Sequence, residues 1–179
     1  MNLRIWKVIL AVTMGVVLTI SAGWNVAATP YRDYELQGTW LVTVTQQICN
    51  GGPVVSKFPS ILTFTGGGAV VEDTSNPAFE PGQRGVGQGA WWYEGKHSFG
   101  AKTVALIRPP QTPYKVGAPL FRAGTQIIAQ TIQFEPGKPD AWSSQAQVEF
   151  LDATGASYSP SPVQPPPCMD ITATAVRFE

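Results

Sequence analysis

The stretch GTWLVTVTQQIC, residues 38–49, places Trp40, Val42 and Val44 on one side and Thr43 and Thr45 on the other. That is the period of two expected of a half-buried β-strand. Its counterpart is CMDITATAVRF, residues 168–178, at the far end of the chain. Antiparallel strands pair positions whose numbers share a constant sum. Cys49 and Cys168 sum to 217, and so do Trp40 and Arg177. In that register Val42 opposes Ala175, Val44 opposes Ala173 and Ile48 opposes Met169, forming an apolar face. Thr43 opposes Thr174 and Thr45 opposes Thr172 on the other face, with the cysteines. Same-face pairs of this kind stabilise a sheet and set its register. First and last strands lying side by side leave no free edge. The expectation is an all-β fold, a closed up-and-down antiparallel barrel of about eight strands.

Working outward, six further strands are expected at Ser60–Thr65, Ala69–Thr74, Gly87–Glu94, His97–Ile107, Thr125–Phe134 and Ser143–Leu151. Gly66-Gly67-Gly68, Gly95-Lys96 and the Pro136–Asp140 stretch mark short turns. The other connections, Cys49–Pro59, Ser75–Val86, Arg108–Gly124 and Asp152–Cys168, read as long loops that hold most of the 16 prolines. Turns alternate between the two ends of an up-and-down barrel. The four long loops are therefore expected at one end, as a mouth, and the three short turns at the other, as a base.

Residues 1–28 read as a secretory signal. Arg4 and Lys7 precede the uncharged run Val8–Ile20, and Val26-Ala27-Ala28 offers a small-x-small cleavage site. An uncleaved anchor is the alternative, although the run is short for a span of about 20 apolar residues. After cleavage, residues 29–179 would form the barrel domain, with no stable membrane span, in a secreted or periplasmic setting. Export makes Cys49–Cys168 a plausible disulfide, with two unpaired buried thiols as the alternative. Setting aside Arg4 and Lys7 leaves ten basic residues against 12 acidic ones. No basic stripe is present to hold nucleic acid.

Gly38-Thr39-Trp40 at the start of the first strand, with Arg177 in the last, resembles the calycins, the lipocalin-like eight-stranded barrels. In that family a G-x-W opens the first strand and a basic residue from the last strand covers the indole. The resemblance implies structural roles for Gly38, Trp40 and Arg177, and a ligand-holding barrel as the scaffold. Physically, a Trp plugs the base and a cation over its face adds about 0.5–2 kcal/mol. The segment RGVGQGAWWYEGKHSF, residues 84–99, is similar to a motif of uncharacterised exported bacterial β proteins, a Gly-rich segment before a W-x-x-x-G hairpin. Gly85, Gly87 and Gly89 precede a strand rather than a helix, which argues against a dinucleotide loop and for a bend or bulge at a barrel corner.

The catalytic inventory is thin, and no catalytic residue, metal site or cofactor is assigned. His97 is the only histidine and sits in a turn. Glu72, Asp73 and Glu94 read as carboxylates at exposed strand ends. Phe64, Trp91, Trp92 and Phe99 would either line a ligand cavity or fill the barrel. Gln126 and Gln130, with Gln46 and Thr63, would orient a ligand if they point inward. The leading expectation is a barrel binding a small, largely apolar molecule through its mouth. A structural or adhesive surface module with a solid core is the alternative, its Pro-rich loops meeting a protein partner that the sequence does not identify. A third reading is a barrel enzyme resembling allene oxide cyclase, which needs an inward carboxylate such as Glu72 or Glu149. A cavity of a few hundred Å³ would separate the first reading from the second.

Overall fold

The computed structural model describes residues 35–110, 123–157 and 168–178. The proposed signal segment, residues 1–28, and loop residues 111–122 and 158–167 lie outside the described residues. Eight strands follow one another: β1 (Gly38–Ile48), β2 (Val54–Phe64), β3 (Ala69–Thr74), β4 (Gly87–Gly95), β5 (Ser98–Ile107), β6 (Gly124–Glu135), β7 (Lys138–Asp152) and β8 (Met169–Arg177). Each pairs antiparallel with the next, and β8 returns to β1 to close the barrel.

The closing seam has the register that the constant sum predicts. Trp40 opposes Arg177, and the pairs run unbroken to Ile48 opposite Met169. One step further the Cys49 N–H donates to the Cys168 carbonyl at 3.0 Å. The two cysteines form a disulfide there, with Cα atoms 5.3 Å apart.

Two boundaries differ from the sequence expectation by more than one residue. β2 begins at Val54 rather than Ser60, so the connection after β1 is a short turn, Cys49–Pro53, and not a long loop. Asn50 and Gly51 take positive φ there, and the Ile48 N–H reaches the Pro53 carbonyl. Pro59 is consequently inside a strand, opposite Thr43. Its carbonyl accepts from Ser75 N–H on the β3 side. N–H and C=O of one strand residue point the same way, so the missing donor falls where β3 has ended and not on the ladder to β1. Similarly, β7 begins at Lys138, leaving a two-residue turn at Pro136-Gly137 with Gly137 at φ 73°. The connections 75–86, 108–123 and 153–168 remain the long ones, and residues 111–122 and 158–167 of them lie outside the described residues.

The lower half of the barrel is solid. Trp40, Phe64, Trp91, Phe99, Phe134 and Trp142 all face inward and are buried. Their rings meet in edge-on and tilted contacts, with centroids 5.7–6.1 Å apart from Trp40–Phe134 through Trp91–Phe99 to Phe64–Trp91. Such geometry adds to area burial because ring edges meet ring faces. Leu36, fully buried, closes the floor, and its carbonyl accepts from Trp40 Nε1 at 2.8 Å.

Arg177 seals the same end. Its guanidinium lies 4.3 Å from the Trp40 ring centroid. It also donates to Asp140 Oδ1 at 2.8 Å and to the Gln37 and Glu35 carbonyls at 2.7 Å. The glycine of Gly38-Thr39-Trp40 has a physical reason: a Cβ at Gly38 would come within 2.9 Å of Arg177 Nη1, and φ there is 120°. Arg177→Met keeps the aliphatic packing and removes the cation and its donors. Urea unfolding of this variant should show a loss of about 1–2 kcal/mol. An unchanged midpoint would mean that the arginine contributes nothing to closure.

Candidate functional site

Above the aromatic floor, the mouth-side half of the interior is lined differently. Its β7–β8–β1 wall carries Ala146, Val148, Ile171, Ala173, Val42 and Val44, with Ser144 and Gln46 among them. Its opposite wall carries Phe58, Leu62 and Ile128 together with the polar group Glu72, Thr74, Arg84, Gln126 and Gln130. Between them lies a chamber of about 60 Å³. That is room for roughly four or five water-sized groups at 10–15 Å³ each, well short of the 300–1,000 Å³ of a drug-sized site. The roomy apolar cavity that would distinguish a generous binder is not what the barrel encloses.

The polar wall is a connected network. β3 alternates so that Val70, Glu72 and Thr74 turn away from the exposed Val71 and Asp73. Glu72 therefore lies inside and not at an exposed strand end, which corrects the sequence expectation. Asp73 and Glu94 are exposed as expected. Glu72 Oε1 accepts from Arg84 Nη2 at 2.8 Å and from Thr74 Oγ1 at 2.6 Å, while Oε2 accepts from Thr103 Oγ1 at 2.7 Å. Every contact to the carboxylate comes from a donor, the set that an ionised acid accepts. The side chains of Arg84 and Glu72 are only 4% and 6% exposed. Ser60 extends the network, with its Oγ 2.6 Å from Thr74 Oγ1.

Arg84 reaches this position because the loop between β3 and β4 is folded back on the barrel. Asn76 Oδ1 accepts from Ala78 N–H, and Gln83 Oε1 accepts from Glu80 N–H. The Gln83 carbonyl then accepts from Arg108 N–H at 2.8 Å, and Gly85 N–H donates to Leu106 O at 2.9 Å. These bonds bracket Arg84 against the end of β5 and turn it inward. Its Nε donates to Gln126 Oε1 at 2.5 Å, and its Nη1 to the Gly85 carbonyl at 3.2 Å. Gly87 makes room for the acid, since a Cβ there would sit 3.0 Å from Glu72 Oε2. Gly89 allows β5 to approach, because its Cβ would collide with the Lys102 carbonyl at 1.8 Å. The β4–β5 register is unbroken from Gln88 to Tyr93, so these glycines supply space rather than the expected bulge.

The sequence-derived site residues divide into three groups. Gln126 and Gln130 line the chamber, as does Gln46. Phe64, Trp91 and Phe99 belong to the packed floor. Trp92 faces outward, 46% exposed, lying over Gly100 and donating to Glu94 Oε1 at 3.1 Å. Alternation cannot put both Trp91 and Trp92 inside, and the neighbouring Tyr93 shares the face of Trp91. Thr63 bonds Thr39 across the outer face, and Glu149 is exposed, held by Ser157. His97 sits in the β4–β5 turn at φ 62° and meets Glu35 at 2.9 Å on the surface. Arg84, Ser60, Thr74 and Thr103 were not among the site residues that the sequence suggested. For Arg84 no local pattern exists, because a loop residue has no period to reveal where it points.

No protein-family model and no curated protein matches this sequence. Among solved structures, the chain is similar to a protein of unknown function of the DUF3598 family from Nostoc punctiforme PCC 73102. The two are 10% identical with a TM-score of 0.37, over 82% of this chain and 49% of the other. The chain thus spans about half the length of that protein.

Proposed function

We propose that this protein is an exported, calycin-like barrel that binds a small, largely apolar molecule with a polar edge in its mouth-side chamber. The observation that carries the reading is a connected polar cluster set into a largely aliphatic chamber wall. The aliphatic side chains offer surface for an apolar body, and Glu72, Arg84 and Gln126 offer fixed polar groups that orient it. The size of the chamber favours a molecule of a few heavy atoms over a lipid or a large cofactor. A disulfide is consistent with an oxidising compartment, and the apolar run after Arg4 and Lys7 supports export.

The enzyme reading has one point in its favour, the inward carboxylate of Glu72. Three side-chain donors already occupy that carboxylate, which suits a counter-ion for Arg84 better than a general base. Native mass spectrometry of protein purified from its own host tests binding. A bound small molecule is expected on the wild type and not on Ala146→Phe, which fills the chamber. Recovery of the bare chain alone, in folded form, would remove the support for a ligand.

A further inference from the structure

At Arg84 and Gln126 the chamber presents hydrogen-bond donors that have no acceptor among the described residues. Arginine can only donate, so the oxygen of the Gln126 amide must be the atom facing Arg84 Nε. The amide nitrogen of Gln126 is thereby turned to the other side. Gln126 is 4% exposed and lines the chamber, and among the described residues no acceptor meets that nitrogen. Arg84 has five N–H groups, of which three are taken, by Gln126, Gly85 and Glu72. The remaining two have no acceptor among the described residues. Gln130 and Gln46 are arranged like Gln126, each with its amide oxygen accepting from a serine, Ser144 and Ser56. Meanwhile the carboxylate beside this donor pair is engaged. Both Glu72 oxygens are held by donors, and Asn76 Oδ1 caps its own loop.

Charge narrows the class further. Among the described residues Glu72 and Arg84 are the only ionisable ones lining the chamber, and they neutralise one another. An anionic ligand would place a second negative charge on a guanidinium that already has a partner. A cationic ligand would face the uncommitted N–H groups of a guanidinium of its own sign. Desolvating either ion without a counter-charge is costly.

We infer that the ligand of this chamber is a neutral molecule bearing a carbonyl-type oxygen acceptor, seated on the Gln126 amide and the free N–H groups of Arg84 with its apolar body against Val44, Ile128 and Ile171. This deepens the binding reading above and rests on it. The donor surplus sets the chemistry of the polar edge, and the volume sets the size.

Four probes of equal heavy-atom number test the inference on the disulfide-bonded protein: acetone, isobutane, isopropylammonium and acetate. Titrations are followed by the side-chain amide resonances of ¹⁵N-labelled protein. Acetone should shift the Gln126 amide pair and bind about tenfold more tightly than each of the others, the value of one satisfied hydrogen bond. In Gln126→Glu, which keeps an oxygen for Arg84 and replaces the donor by an acceptor, the order of ketone and ammonium should invert. If isobutane binds as well as the ketone, or an ion binds better, the acceptor inference is overturned while the chamber stands as a ligand site. If no probe binds, the binding reading falls and takes the inference with it. The ranking on the wild type decides between these outcomes even if the glutamate variant does not fold.

Discussion

Glu72→Ala is expected to lower the free energy of unfolding by about 3–5 kcal/mol, and Arg84→Ala by a similar amount. Each deletion strands the partner's charge in the interior, where the side chains are 4% and 6% exposed. The glutamate deletion also leaves Thr74 Oγ1 and Thr103 Oγ1 without their acceptor. The arginine deletion leaves Gln126 Oε1 without its donor. Removing both charges together has a different consequence. Glu72→Leu combined with Arg84→Met replaces the ion pair by apolar groups of similar length. That double variant should be clearly more stable than either single one, because the desolvation cost of the pair disappears with its attraction and only the neutral partners Thr74, Thr103 and Gln126 are left short of a hydrogen bond. Urea unfolding of the four proteins, with unchanged slopes, measures the coupling directly. Single variants that lose less than about 1 kcal/mol each would show that water reaches the pair. The double variant also separates stability from binding: it should fold well and lose the preference for a carbonyl-bearing probe.

Removal of the Cys49–Cys168 bond, by Cys49→Ser with Cys168→Ser, should cost about 4–5 kcal/mol in the chain-entropy account. The link encloses a separation of 119 residues, nearly the whole barrel. Without it the unfolded chain gains the freedom of an open coil, while the folded seam keeps its nine β1–β8 pairs from Trp40–Arg177 to Ile48–Met169. The prediction has a second part that a purely native-state effect would not produce. The unfolded state of the variant is more expanded, so the urea slope should rise as the midpoint falls. A fall in midpoint with no change in slope would locate the effect in the folded barrel. In that case the relevant loss would be at the mouth end of the seam, where the Cys49 N–H bonds the Cys168 carbonyl.

Some of this protein was decided by local pattern alone. Residues 38–49 and 168–178 each alternate with period two, and only one antiparallel register matches their apolar, threonine and cysteine positions together. Closure and the pairing of Cys49 with Cys168 and of Trp40 with Arg177 follow from that match, because side-chain parity and pairing register are properties of the linear chain, while the count of eight strands follows from the turns between them. Parity applied further would also have placed Glu72. The turn at 66–68 pairs Phe64 with Val70 and Leu62 with Glu72, so the acid shares the face of two core residues. Taken alone, β3 was ambiguous, since Val70 and Val71 make both its faces look equally apolar. The same limit applied to Trp91 and Trp92, adjacent aromatics of which parity admits only one inside.

What the tertiary structure alone decided is the chemistry of the chamber. Arg84 comes from a loop, and its inward course is set by Gln83, Gly85, Leu106 and Arg108 meeting across 21–25 positions of chain. How far the aromatic floor rises, and so how little volume remains above it, depends on side chains from all eight strands interlocking at once. Period and propensity record which way a residue faces relative to its neighbours along one strand. They do not record what stands opposite it across a barrel, and in this protein that distance is where a guanidinium, a carboxylate and an amide become a donor surface.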